Sequence, residues 1–408
     1  MATTILIIFL IVYLGMILGG LPFLRLDRTG VALLGAIALI SINALSLEQA
    51  VASIHLPTMA LLFAFMVVSA QMRLGGFYDW VTNKLAGLAL SPASLLGVLV
   101  VVSAALSAVF SNDIVCLAMA PLLVEACRRR RLAPVPYLLA LACAANIGSA
   151  ATLIGNPQNM LIGQTMRLSF NGYFLDAILP VGLGLFISWV LIVRQSRGQW
   201  EESGGDAAVP ERRAGEIAFD AWQTTKGLVV AGVLLVAFLV APWPREHMAL
   251  IGAGILLMSR QLRSQNMLGL VDWELLVLFM SLFVVNAALQ GTGLTAQAIA
   301  WLAAHGVRLN EPGALFGATF VLSNLVSNVP AVMLLIPAVH HPLGGVMLAL
   351  VSTLAGNLLI VGSIANIIVV DAAGRRGIVI DWRRHARVGV PVTLATLAIS
   401  GVYLALRF

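Results

Sequence analysis

A succession of apolar stretches, each suited to crossing a lipid bilayer, constrains this chain more than any other feature. Its 408 residues are 60% hydrophobic and only 10% charged, whereas an ordinary soluble domain is about a quarter charged. Apolar segments that cross the hydrocarbon core do so as helices, because a helix satisfies its own backbone hydrogen bonds. The chain is therefore predicted to be an all-α polytopic membrane protein.

Ten membrane spans are predicted, in two groups of five. The first group is Thr4–Pro22, Thr29–Leu45, Leu56–Met72, Tyr137–Ile162 and Tyr173–Val193. The second group is Lys226–Ala241, Met248–Ser259, Trp273–Gln290, Gly345–Val370 and Val388–Leu406. The first stretch is preceded by no basic residue, so we expect a retained span rather than a cleaved signal peptide.

A charged linker separates the two groups. Residues 194–224 carry ten of the 42 charged side chains and are predicted to be a solvated cytoplasmic segment. The linker divides the chain into a first unit, residues 1–193, and a second unit, residues 225–408. The three cysteines lie within apolar segments at no metal-ligand spacing, so neither a disulfide framework nor a metal site is predicted.

Two further apolar segments, residues 91–127 and 312–340, are each interrupted by small polar residues. The interruptions align as LSAVFSNDIVCLAMAP from Leu106 and LSNLVSNVPAVMLLIP from Leu322, at an offset of 216. GNPQN from Gly155 aligns with GSIAN from Gly362 at an offset of 207. The segments that end at Gly76 and Gly293 are a third similar pair. The two halves are therefore predicted to be duplicated units.

The distribution of basic residues predicts how the units are oriented. If each interrupted segment is a re-entrant hairpin and the N-terminus is external, 20 of the 24 Lys and Arg residues lie on the cytoplasmic side, as the positive-inside rule requires. Full crossing by the hairpins would destroy this segregation. We therefore expect two inverted repeats, each of five spans plus one re-entrant hairpin.

Inverted repeats with interrupted helices are how many secondary transporters build a binding site at the membrane midplane. Asn and Ser supply donors and acceptors without a charge penalty, while Gly permits unusual backbone geometry. The candidate substrate and ion ligands are Ser111, Asn112, Asp113, Asn146, Thr152, Gly155, Asn156, Asn159, Ser327, Asn328, Asn357, Gly362, Ser363 and Asn366. The alternative is that these polar residues only cap and join helices.

Asp113 is the acidic residue within the first interruption, and its counterpart in the second is Val329. An intramembrane carboxyl group is costly, which points to a functional role. We expect Asp113 to carry a proton during transport. A permanently ionised sodium ligand and a structural cap of the following helix are the alternatives.

The chain resembles the ion transporter superfamily at FSNDIVCLAMAPLL, ANIGSAATLIGNPQNMLIG, SNVPAVMLLIP and GNLLIVGSIANIIVV. That group includes arsenite/antimonite efflux pumps, sodium/proton antiporters and divalent anion/sodium symporters. The Ser-Asn-Asp and Ser-Asn-Val-Pro tips look more like the arsenite pump and antiporter branches than like the symporters. The resemblance implies a homodimer in which a transport domain slides against a scaffold domain, an elevator mechanism. It also implies that the substrate and ion sites fall on residues 111–113, 155–159, 327–328 and 362–366.

The sequence thus predicts a secondary transporter in the cell inner membrane, not an enzyme, with no cofactor and no nucleic-acid partner. The leading function is proton-coupled export of arsenite or antimonite. An arsenite-pump ATPase subunit is then a further expected partner. The alternatives are a sodium-coupled symporter of di- or tricarboxylates or inorganic anions, and a sodium/proton antiporter.

Overall fold

The protein is described here from a computed structural model, in which residues 1–21, 24–201 and 218–407 are described. These residues form twenty α-helices. Six of the helices are long and apolar enough to cross a membrane: Leu56–Leu74, Pro92–Phe110, Phe170–Gln195, Ala221–Val240, Trp273–Gly291 and Trp382–Ala405. The all-helical, multi-pass architecture predicted from composition is the architecture observed.

Ten helices precede the linker. They are α1 Ala2–Leu18, α2 Arg28–Ser41, α3 Leu47–Ser53, α4 Leu56–Leu74, α5 Phe77–Ala86, α6 Pro92–Phe110, α7 Asn112–Arg129, α8 Pro134–Ser149, α9 Pro157–Thr165 and α10 Phe170–Gln195. A two-residue antiparallel ladder, β1 Gly20–Leu21 with β2 Leu26–Asp27, joins α1 to α2. This ladder and the short helices α3 and α5 were not predicted.

Ten helices follow the linker in a matching order. They are α11 Ala221–Val240, α12 Arg245–Leu257, α13 Ser264–Leu268, α14 Trp273–Gly291, α15 Leu294–Ala304, α16 Pro312–Val326, α17 Asn328–Leu335, α18 Gly344–Ala355, α19 Ile364–Gly374 and α20 Trp382–Ala405. Short 3-10 turns at Ile336–Ala338 and Ile360–Gly362 extend α17 and precede α19. The long–short pair α4–α5 corresponds to α14–α15, and the later helices correspond in turn.

Both interrupted segments consist of two helices that pack against each other. α6 and α7 meet at Ser111, and α16 and α17 meet at Ser327, each within the predicted interruption. The predicted spans Tyr137–Ile162 and Gly345–Val370 are each broken in two, into α8 and α9 and into α18 and α19. α19 packs against both α7 and α8, so the two halves meet around the breaks.

The structure describes the two ends of the predicted linker, residues 194–201 and 218–224. Its first residues stay close to the protein, since the Ala133 backbone N–H donates to the Trp200 carbonyl (2.9 Å). Asp220 caps α11 by accepting from the Gln223 backbone N–H at 3.0 Å. The rest of the predicted solvated linker, residues 202–217, lies outside the described residues.

Candidate functional site

Each hairpin turns at a serine held in a left-handed backbone conformation. Ser111 has φ 70° and Ser327 has φ 77°. Each serine ends one helix and begins the next, so the helical path is broken at a single residue. A non-glycine residue in this region costs on the order of 1 kcal/mol or more and is concentrated at functional sites. The two tips therefore store matched backbone strain.

A cavity of about 30 Å³ lies between the two tips. Asn112 and Asp113 line it from the first hairpin, and Ser327 and Asn328 from the second. The remaining lining residues are Pro157, Gln158, Leu275, Val329, Ser363 and Ile364, so none of the described lining residues is Lys, Arg or His. A buried water occupies roughly 10–15 Å³ by the same measure, and the cavity therefore has room for about two waters.

Asp113 sits in the first turn of α7 and is partly buried. Its carboxyl group lies near the backbone N–H of Ala365, in the first turn of α19. Helix N-termini stabilise negative charge because their first N–H groups have no partner within the helix. The first hairpin and the second broken helix thus meet at this carboxyl group.

The same hydrogen-bond arrangement occurs at both helix breaks of this chain. The Asn159 amide Nδ2 lies 3.5 Å from the Ser149 carbonyl and 3.1 Å from the Thr152 carbonyl. At an offset of 207, Asn366 Nδ2 donates to the carbonyls of Gly356 (2.8 Å) and Leu359 (3.0 Å). Each asparagine therefore closes its own break with backbone acceptors that the helix leaves free.

The two breaks are also joined to each other by matched hydrogen bonds. Asn146 Nδ2 donates to Asn366 Oδ1 at 3.2 Å. Thr353, which stands 207 residues after Asn146, donates to Asn159 Oδ1 at 3.3 Å.

A second matched pair crosses between the halves. Ser363 Oγ donates to Asn146 Oδ1 at 2.9 Å. Asn156 Nδ2, at the position equivalent to Ser363, donates to Thr353 Oγ1 at 3.2 Å. The polar residues of the two breaks consequently form one buried network that joins the two halves of the chain.

This network sets the orientation of the asparagine that faces the cavity. Carbonyls only accept, so Asn366 must turn its Nδ2 toward Gly356 and its Oδ1 toward Asn146. Asn146 then donates through Nδ2, and its Oδ1 accepts from Asn112 Nδ2 at 2.9 Å. Asn112 Oδ1 is left as a buried acceptor with no partner among the described residues.

Asn328, the counterpart of Asn112, also has a buried Oδ1 without a partner in the described part of the chain. Both residues are at least nine-tenths buried and line the same cavity. A buried acceptor that lacks a donor costs about 1–3 kcal/mol. Two acceptor oxygens without a donor therefore belong to residues that line the cavity, and a hydrogen-bond donor or a cation bound there would satisfy them once it reaches them.

The structure places the fourteen predicted residues in three groups around the cavity. Five line the cavity: Asn112, Asp113, Ser327, Asn328 and Ser363. Asn146, Thr152, Asn156, Asn159, Asn357 and Asn366 form the buried network behind it. Ser111, Gly155 and Gly362 shape the backbone, and a Cβ on Gly155 would lie 2.2 Å from the Ser149 carbonyl oxygen.

Sequence reasoning missed several polar members of the same site. Ser149 and Thr353 take part in the network. Gln158 lines the cavity and lies within residues 155–159, where the family resemblance implied part of the site, although it was not among the individual candidates. Thr353 could have been found, because it lies at the repeat offset from Asn146. Tyr173 and His385 also contact the breaks, and nothing in the motif alignment pointed to them.

The twenty helices of the described residues, the paired breaks and the cavity with polar lining define a multi-pass membrane transporter. The chain belongs to the CitMHS family, described as citrate transporters, whose model matches residues 5–353. This membership confirms the ion transporter superfamily indicated by the four motifs. It is a family of transporters rather than of enzymes.

Individual relatives extend over nearly the whole chain. A 46 kDa membrane protein of Mycobacterium leprae is 29% identical over 94% of this chain and 95% of its own. The silicon efflux transporter LSI3 of Oryza sativa subsp. japonica is 30% identical over 93% and 92%, respectively. The putative transporter arsB of Dictyostelium discoideum is 23% identical over 92% and 87%.

A solved structure has the same fold. The YdaH transporter of Alcanivorax borkumensis superposes with a TM-score of 0.58 at 15% sequence identity, covering 99% of this chain and 97% of that one. At this identity the likeness concerns the fold alone.

Proposed function

We propose that this transporter exports a small polyhydroxy inorganic solute in exchange for protons, with arsenite or antimonite as the leading substrate. The observation that carries the proposal is the pair of equivalent asparagines, Asn112 and Asn328, which line one cavity and whose buried Oδ1 atoms have no partner among the described residues, while none of the described lining residues is basic. Arsenite is mostly a neutral trihydroxide near pH 7, so it offers O–H donors and brings no charge that a basic residue would have to balance.

The names of two relatives favour the same class of solute. The rice relative is a silicon efflux transporter and the Dictyostelium relative is a putative arsB transporter. We extend these names to this chain as a proposal only, because the identities are 30% and 23%. The efflux named for the rice relative is consistent with export by this chain.

The proposed mechanism is an elevator built from two inverted repeats in a homodimer. The matched order of helices and the matched hydrogen bonds across the 207-residue offset support two equivalent units. In the small cavity described here a solute larger than about two waters does not fit, so loading requires the two tips to separate. Rigid movement of the tips with both broken helices would carry the cavity across the membrane.

Asp113 is proposed to couple transport to protons. It is the acidic residue among the described residues that line the cavity, and the N-terminus of α19, from the second half of the chain, lies near it. A proton and the solute would compete for this carboxylate and the adjacent acceptors. Binding of one would then favour release of the other.

The test is accumulation of antimonite in arsenite-sensitive bacterial cells with and without the protein. We expect lower accumulation and higher resistance in cells that express it. Equal accumulation at matched protein levels would eliminate this substrate. Co-expression of an arsenite-pump ATPase subunit tests the further predicted partner, with increased export as the expected result.

A sodium-coupled carboxylate symporter is the second candidate, favoured by the citrate transporter description of the family. The same acceptor oxygens would then hold Na⁺, a hard cation that prefers oxygen ligands. Thermal stabilisation of the purified protein by citrate that requires sodium would support this function. Sodium/proton exchange without any solute would support the third candidate, an antiporter.

A further inference from the structure

Two side chains outside the predicted site contact the same point of the two helix breaks. The Tyr173 hydroxyl donates to the Ala150 carbonyl oxygen at 2.7 Å. His385 Nε2 lies 3.1 Å from the Asn357 carbonyl oxygen. Ala150 and Asn357 are 207 positions apart, the offset that relates Gly155 to Gly362.

The two side chains are themselves equivalent in the fold. Tyr173 is the fourth residue of α10, and His385 is the fourth residue of α20. Each helix is the one that follows a broken span, and each side chain is only 2% exposed. A coincidence of contacts would not reproduce both the position in the helix and the acceptor in the break.

The protonation of His385 follows from its acceptor. A carbonyl oxygen only accepts, so Nε2 carries the proton and donates it. Nδ1 is buried and has no partner within the described residues. The ring therefore makes one directed contact, to the backbone of the break.

The surrounding helix is shaped to allow this contact. A Cβ on Gly389, one turn after His385, would lie 2.4 Å from the Asn357 carbonyl oxygen and 3.0 Å from His385 Nε2. Only glycine leaves room for the break to approach α20 so closely. The close approach places the carbonyl within reach of the ring.

The contact leads directly into the substrate site. The Asn357 side chain accepts from Asn146 Nδ2 at 2.8 Å through its Oδ1, and Asn146 in turn holds Asn112 at the cavity. On the other side, the Tyr173 hydroxyl accepts from Asn159 Nδ2 at 3.1 Å. His385 and Tyr173 thus each contact a break whose asparagines, Asn357 and Asn159, belong to the buried network behind the cavity.

From these contacts we infer that Tyr173 and His385 are matched positioning residues, which hold the carbonyls of residues 150 and 357 and thereby keep the two breaks in their binding shape. Neither residue lines the cavity, so each acts through the break that it contacts. The effect of each on transport rests on the proposed function, whereas its effect on the shape of the break does not.

Amide hydrogen exchange of the full-length protein in lipid nanodiscs tests the inference directly. His385→Leu should speed exchange of residues 356–363 by roughly fivefold, the ratio expected for one lost hydrogen bond, and leave residues 150–156 at the wild-type rate. Tyr173→Phe, which loses only a hydroxyl, should do the reverse. His385→Gln keeps a donor near the Nε2 position and should restore wild-type exchange.

Two results would overturn the inference. One is equal exchange of both breaks in all variants. The other is a uniform increase along the whole chain, which would indicate general destabilisation. If His385→Leu does not fold, Tyr173→Phe and Gly389→Ala still test the inference. Gly389→Ala should speed amide exchange of residues 356–363 alone.

Antimonite transport into everted membrane vesicles provides the second readout. His385→Leu should raise the KM severalfold at nearly unchanged maximal rate per folded protein, and His385→Gln should restore the KM. An unchanged KM in His385→Leu would contradict a positioning role. If the wild-type protein moves no antimonite, the proposed substrate fails and the exchange experiment still decides the role of the two residues.

Discussion

Asn112 and Asn328, 216 positions apart in the chain, line one cavity from the two tips, and each has a buried amide oxygen Oδ1. Neither oxygen has a partner among the described residues. Asn112 Nδ2 donates to Asn146 Oδ1 at 2.9 Å. The protein itself therefore fixes the orientation of the Asn112 amide and leaves its Oδ1 as the free acceptor. This relationship connects the hydrogen-bond network to the chemistry of the solute.

Replacing Asn328 by leucine should separate stability from binding. The change removes a buried acceptor that lacks a donor, so the free energy of unfolding should stay equal or rise by up to about 1–3 kcal/mol. The melting temperature should stay equal or rise accordingly. The KM for antimonite should increase at least tenfold, since half of the acceptor pair is lost. Thermal unfolding and vesicle transport measure the two effects.

Thr393→Val is the matched control for this change. The Thr393 hydroxyl is also buried and without a partner in the described residues, but it lies on α20 away from the cavity. It should leave the KM unchanged. A lower melting temperature together with a normal KM in Asn328→Leu would show that the oxygen is structural.

Asp113→Asn should abolish proton-coupled transport and leave the fold intact. The amide keeps the size of the side chain and cannot exchange a proton in the physiological range. Transport into proteoliposomes under an imposed pH gradient should fall to background, while the melting temperature stays within a few degrees of wild type.

Asp371→Asn serves as its control, because that carboxylate forms an exposed ion pair with Arg375 at 2.8 Å. Such pairs contribute at most about 1 kcal/mol, so transport should persist. A transport rate in Asp113→Asn that still follows the pH gradient would rule out Asp113 as the proton carrier.

Asn366→Asp should damage the protein more than its size suggests. The amide now donates to the carbonyls of Gly356 and Leu359, and a carboxylate would instead set oxygen against oxygen. We expect a loss of about 2–4 kcal/mol, from two hydrogen bonds and the acceptors left without donors. Thermal unfolding should show a clearly lower melting temperature.

Asn171→Asp is the corresponding control, as Asn171 is exposed in the first turn of α10. A negative charge there is favourable to the helix, so stability should be unchanged or slightly higher. Equal melting temperatures for the two variants would refute the orientation assigned to Asn366.

Ser327→Gly should stabilise the protein. Glycine adopts φ 77° without strain, so the folded state should gain roughly 1–3 kcal/mol. Glycine also gives the unfolded chain more conformational freedom, which should lower the free energy of unfolding by about 0.4–1 kcal/mol. The net gain of about 1 kcal/mol should appear as a higher melting temperature. Ser327→Val, which cannot accept this conformation easily, should lower it, and the reverse order would show that the tip is not strained.

Much of the architecture could be predicted because apolar length and small polar interruptions are local properties. The offset of 216 located both tips, and the offset of 207 located both breaks. The short helices α5 and α15 escaped, since each is too short to be recognised by apolar length and follows directly after a longer one. All fourteen candidate residues lie in or directly behind the cavity or shape its backbone.

The sequence by itself determined that this chain crosses the membrane repeatedly and that its polar residues are concentrated at four interruptions, because burial in lipid leaves few other arrangements. Only the tertiary structure decided which atom each asparagine presents and that Thr353, Tyr173 and His385 take part. Those contacts join residues up to about two hundred positions apart, and the orientation of an amide depends on the acceptors around it rather than on its neighbours in the chain.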